Sequence, residues 1–118
     1  MSPNLHRKRR GAATQSIVAD WFRRQGWPHA ESAGAGRSGA DITGLGSLRC
    51  EVKARADFDP LKWLRQATKH KNYPDDLPFV VWRPNGYGPS NVNEWPVMLR
   101  LDEFTALLRD AGYGRGDT

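Results

Sequence analysis

The sequence predicts one mixed α/β domain, with the elements in the order α-β-β-β-α-β-β-α and helices interrupting the strands. Three observations predict it. Apolar residues recur at helical spacing in three segments, while shorter segments between them alternate or run apolar as strands do. Clusters of Gly, Pro, Asn and Asp separate the segments. The chain of 118 residues is the length of one domain, and its five Trp and four Phe supply apolar surface for a modest core.

The first ten residues include four consecutive basic ones, Arg7, Lys8, Arg9 and Arg10, and read as a basic arm, mobile at its start. Residues 11–112 form the domain and 113–118 a tail. Within 12–25, Ile17, Val18, Trp21 and Phe22 share one helical face, and Gly26 is a stop. Gln15 lies at the flank of that stripe. Residues 27–33 read as a weak strand, and 34–39 as a Gly-rich loop. Residues 40–43 and 47–55 are strands joined by the Gly-Leu-Gly turn, hence a hairpin. Asp59 and Pro60 start a helix over 59–71, with Leu61, Leu64 and Ala67 as its buried face. Lys62, Gln66 and Lys69 share another face. Residues 79–83 are a buried-type strand and 95–100 the last one. Asp102 caps a final helix that Gly112 ends.

Composition narrows the function. The net charge is +5, unevenly placed: residues 1–71 carry 14 basic and 6 acidic side chains, residues 72–118 carry 4 and 7. A basic half suits a polyanion such as nucleic acid, and it also suits plain solubility. No apolar run is long enough to cross a membrane, and the basic start is not followed by the apolar stretch of a secretory signal. One cysteine rules out an intramolecular disulfide and fits a reducing, cytoplasmic setting. With His6, His29 and His70 it matches no zinc-ligand spacing.

The chemistry concentrates in the hairpin. Alternation puts Leu48, Cys50, Val52 and Ala54 on one face, and Arg49, Glu51, Lys53 and Arg55 on the other. Asp41 joins the charged face from the neighbouring strand. Two readings stand open. One is a solvent-facing hairpin whose charges pair across strands. The other is a magnesium or manganese site, since neighbouring carboxylates repel until a cation lies between them and offer hard oxygen ligands.

Asp41 followed ten residues later by Glu51-Val52-Lys53 resembles the motif of the PD-(D/E)XK nuclease superfamily, although Gly-Ala stands where that pattern often has Pro. The element order over about residues 8–108 is similar to the restriction-endonuclease-like αβββαβ core, a mixed sheet flanked by helices. Arg10-Gly11 with Gln15 resembles the opening of archaeal-type Holliday junction resolvases and similar small phage nucleases, with Gln in place of their acid.

The resemblance implies Mg²⁺-dependent hydrolysis of DNA phosphodiesters (Mn²⁺ as possible substitute), leaving a 5′-phosphate and a 3′-hydroxyl, by a homodimer. It implies Asp41, Glu51 and the Val52 carbonyl as metal ligands. Lys53 positions water and offsets charge, and Gln66 and Gln15 face the site. Arg7, Lys8, Arg9, Arg10, Ser32, Arg37, Ser38, Arg49, Arg55, Lys62 and Lys69 are the expected DNA contacts. Trp82, Trp95, Val97 and Leu99 offer apolar surface for a dimer, or for the core. A non-catalytic DNA-binding module, and a restriction- or repair-type nicking nuclease, are the alternatives.

Overall fold

A computed structural model describes residues 3–34, 39–54 and 57–114, with side chains described from Arg9 onward. The elements are α1 (Pro3–Arg24), β1 (Glu31–Ser32), β2 (Ile42–Thr43), β3 (Leu48–Lys53), α2 (Pro60–Lys69), β4 (Leu77–Trp82), β5 (Val97–Met98) and α3 (Leu101–Asp110), with a 3-10 segment over Pro89–Glu94. The strands form one sheet in the order β1-β2-β3-β4-β5, antiparallel except for the parallel pair β3 and β4. The α/β class and the expected αβββαβ order are therefore present.

The parallel pair follows from α2: two neighbouring strands joined through a helix must run the same way. Asp59 caps α2 as expected, its carboxylate accepting the Lys62 N–H at 3.4 Å, with Pro60 in the first turn. The crossover lays α2 on one sheet face, where Trp63 and Ala67 pack with Val80, flanked by Leu64, Trp82 and Met98. Helix α1 covers the other face. There Val18 and Ala19 join Ile42, Cys50, Val52, Phe79, Val81 and Trp95 in the larger core. The alternation expected of β3 thus holds: Cys50 and Val52 face α1, and Glu51 and Lys53 face the α2 side.

Several expectations are corrected. Helix α1 begins at Pro3 rather than at residue 12, taking in the whole basic run and Gly11. The end of this added segment is held to the sheet: the Arg10 Nε donates to the Ala54 carbonyl at 3.3 Å. Such tertiary contacts outweigh the poor helix propensity of glycine. The strand expected over 27–33 shrinks to Glu31–Ser32. On α2, Ala67 and Leu64 face the sheet as expected, but Trp63 is buried and Leu61, expected beside them, is 64% exposed. Helix α3 starts at Leu101 with Arg100 at its cap position, so Asp102 lies in the first turn, where it accepts the Glu103 N–H. Trp95 is buried, and Trp82 and Leu99 pack against the two cores, so of the four residues considered for a dimer only Val97 is exposed. Helix α3 has no buried residue, and its Leu101, Phe104 and Leu107 face outward.

Candidate active site

Asp41 stands just before β2 and is fixed on both sides. Its carbonyl accepts the Ala33 N–H at 2.8 Å and its N–H donates to the Cys50 carbonyl at 2.9 Å. Its carboxylate Oδ2 accepts the Val52 N–H at 2.8 Å. One oxygen is thereby anchored to β3, and the carboxyl comes within hydrogen-bonding reach of Glu51. The Val52 carbonyl points to the same side of β3 as its N–H, toward Asp41.

Glu51 is 6% exposed, because the C-terminal end of α2 passes over it. The Lys53 Nζ lies 3.6 Å from Glu51 Oε2, and the His70 Nε2 lies 3.1 Å from Oε1. His70 is the C-cap of α2, seven residues after the buried Trp63 and so on the same helical stripe. Sequence reasoning had set it aside as a scattered histidine; helical periodicity was the signal that pointed it toward the sheet.

The Glu51 carboxyl is pushed up to about 7. Burial is the largest cause and the negative charge of Asp41 the second, and Lys53 pulls the other way. A carboxyl so placed gives up its proton readily once a cation joins the pair. Among the described residues no group of three or more His, Cys, Asp or Glu stands ready to hold a metal ion. Two carboxylates and one carbonyl nevertheless fit magnesium, which binds through one or two carboxylates and completes its shell with water and substrate phosphate. The Oε1 of Gln66 is buried without a hydrogen-bond partner among the described residues, one turn before His70, and so has an acceptor to spare.

These shifts fix a pH dependence. Glu51 holds its proton to higher pH when folded, so the folded state loses stability as pH rises from 4.5 to about 7. Asp76 has the opposite shift: hydrogen bonds from the Asn72 and Tyr73 N–H groups and from Arg49 lower its pKa from 3.8. Its contribution is present above 3.8 and fades as pH falls through the lower, folded value. The contributions of these two groups are both fully present only between pH 3.8 and 4.5. Calorimetry in EDTA is expected to show the thermal midpoint falling between pH 4.5 and 7, and Glu51→Gln to flatten that fall. Added Mg²⁺ is expected to raise the midpoint of the wild type at pH 7 more than that of Glu51→Gln.

The other expected site residues divide. Gln15 accepts a hydrogen bond from the Ser32 hydroxyl at 2.9 Å, and Ser32 pairs with Ile42 beside Asp41. Both are thus at the same sheet edge as Asp41, bonded to each other rather than to a carboxylate. Arg10 sits over the end of β3. Arg49 is engaged elsewhere: its Nε binds the buried Asp76 at 3.0 Å and pins the loop before β4. Lys62 and Lys69 are exposed on α2, and Lys69 borders a groove of about 500 Å³ with Leu61, Leu64, Arg65, Thr68 and Arg100. Arg9 lies exposed along α1. Arg37, Ser38, Arg55 and the side chains of Arg7 and Lys8 lie outside the described residues. The thiol of Cys50 is buried and its pKa is raised, first by that burial, so it is an inert core residue.

Arg83 is a second residue that sequence reasoning missed. It follows β4 at the C-terminal end of the parallel pair, and its Nη1 reaches the buried Thr14 hydroxyl of α1 at 3.1 Å. Nothing in the local sequence marks it, because the contact joins residues 69 positions apart. The site as a whole gathers a carboxylate pair, two groups bonded to its buried member, and arginines at the strand ends. No family model, no curated protein and no solved structure matches this chain.

Proposed function

We propose that this protein is a Mg²⁺-dependent endodeoxyribonuclease, selective for branched DNA, acting as a homodimer. The observation that carries the reading is the buried contact of Asp41 with Glu51, with Lys53 on the second carboxylate. Setting two carboxylates side by side with one of them buried is costly, and a bound cation removes the cost. The sequence motif and the basic half support the same reading.

In this mechanism Asp41, Glu51 and the Val52 carbonyl would hold the metal. Bound there, a divalent ion would polarise the phosphate and lower the pKa of a bound water, so that hydroxide is available near neutral pH. Asp41 keeps one oxygen on the Val52 N–H, so its free oxygen is aimed. Lys53 orients the attacking water and offsets the negative charge that grows on the phosphate oxygens. The spare Gln66 carbonyl accepts a hydrogen bond from that water. Oxygen attacks phosphorus, the bond to the 3′-oxygen breaks, and a 5′-phosphate and a 3′-hydroxyl result. One site cuts one strand, so paired cuts call for two protomers. The outward apolar face of α3 is the proposed interface.

The test is incubation with supercoiled plasmid, linear duplex and a four-way junction, in Mg²⁺ and in EDTA. Paired cuts at the junction in Mg²⁺ alone, lost in Asp41→Asn, are expected. Absence of metal-dependent cleavage of any substrate overturns the enzyme reading. One observation favours a second reading, a DNA-binding module without catalysis: Gln15 is satisfied by Ser32 and brings no charge. That reading requires junction binding with no cut in any metal. Nicking of plain duplex points instead to a restriction- or repair-type nuclease.

A further inference from the structure

We infer that Arg10 and Arg83 form a two-arginine clamp for a nucleic-acid phosphate at the C-terminal ends of the parallel strands, where both are bonded to the backbone of Lys53 and Ala54. The ligand class rests on the nucleic-acid reading above, but the clamp requires no cleavage.

The two arginines are distant in sequence and meet because both are tied to consecutive residues of β3 and its exit. The Arg83 N–H donates to the Lys53 carbonyl at 2.8 Å, and the Arg10 Nε donates to the Ala54 carbonyl at 3.3 Å. The Arg83 side chain is then held by neutral groups. Its Nε donates to the Tyr87 carbonyl at 2.8 Å, its Nη1 to the Thr14 hydroxyl at 3.1 Å, and its guanidinium lies 5.5 Å over the Trp95 ring. Thr14 and Trp95 are both buried, so the seat is rigid. Among the described residues neither arginine pairs with a carboxylate, in contrast to Arg24, which is bridged to Asp20.

A structural arginine would gain more from an acidic partner than from two neutral oxygens. Here burial first, and the positive charge of Arg10 second, lower the pKa of Arg83. The fold therefore holds two like charges together and leaves the compensating anion to a ligand. Guanidinium groups present five N–H donors in a fork matched to phosphate, and those of Arg83 not turned to Thr14 and Tyr87 remain for one. The ends of parallel strands are where open α/β sheets bind ligands.

The test uses Arg83→Gln, which keeps a donor for the Tyr87 carbonyl but removes the charge and the Nη1 donor to Thr14. Binding of a fluorescein-labelled duplex and four-way junction is measured in EDTA, so that loss of cleavage and loss of the clamp are separate results. The variant is expected to bind about 5–10-fold more weakly at low salt and to lose about one unit of the salt slope. Its thermal midpoint is expected to change little, since loss of the bond to Thr14 is offset by relief of the like-charge contact. Arg10→Gln should behave alike, and the double variant should lose less than the sum of the two. Millimolar inorganic phosphate should raise the midpoint of the wild type and not of Arg83→Gln. Unchanged DNA affinity and salt slope in folded Arg83→Gln overturn the clamp, as does an equal loss in Arg24→Gln. A phosphate effect without a DNA effect overturns the nucleic-acid assignment and leaves a free-phosphate site.

Discussion

Lys53→Met is expected to slow Mg²⁺-dependent cleavage by about 10²–10³-fold, the size of effect seen when one preorganised charge is taken from a transition state. Methionine keeps the stem that lines the sheet face, so folding should persist. Two consequences add. The ammonium 3.6 Å from Glu51 Oε2 no longer offsets charge on the phosphate. Glu51 also loses the group that pulls its pKa down, while burial and Asp41 continue to push it above about 7. More of the protein then carries a protonated Glu51 at neutral pH, and the acid limb of the rate profile should move to higher pH. Initial nicking rates from pH 6 to 9 check both. Lys53→Arg should recover part of the rate, since the charge returns with altered reach. A Lys53→Met rate within about threefold of wild type, well short of the loss a preorganised charge accounts for, removes Lys53 from the proposed chemistry.

Gly44→Ala is expected to be the most damaging glycine-to-alanine change among the described residues. Gly44 has φ of +78°, and a Cβ there would stand 2.0 Å from the His29 carbonyl oxygen and 2.5 Å from its carbon. Both obstacles are backbone, leading into the fully buried Ala30. No side chain can turn aside, so the exit of β2 and the approach to β1 must separate. Left-handed strain and overpacking together cost about 3 kcal/mol or more. At this chain length that lowers the thermal midpoint by roughly 10 °C or more. Gly46→Ala is the control: its φ is +65° and its Cβ meets nothing within 4 Å, so it carries strain alone. A midpoint for Gly44→Ala equal to that of Gly46→Ala contradicts the close approach. Because β2 leads directly from Asp41, Gly44→Ala should also weaken the stabilisation by Mg²⁺.

The β3 strand shows how far sequence reaches. Period-two alternation separates Cys50 and Val52 from Glu51 and Lys53 without any knowledge of the rest, because strand geometry is local. What covers the charged face is not local. Alternation by itself favours a solvated hairpin slightly over a metal site. The decision came from α2, which the crossover lays over Glu51, with His70 at its end. Arg49 illustrates the converse. It shares the face of Glu51 and reads as a phosphate contact, yet Asp76, held by the turn before β4, takes it up. Nothing within a few residues of Arg49 announces that partner.

Sequence by itself determined the element order, the hairpin, the cap of α2 at Asp59 and the grouping of Asp41 with Glu51 and Lys53. Each depends on periodicity or turn chemistry, which act over a few residues. The tertiary structure alone decided the burial of Glu51, the seating of Arg10 against the end of β3 and its approach to Arg83. These depend on which surfaces exclude water and on which charges come together when distant segments pack. Such energies belong to the assembled fold and to no short stretch of the chain.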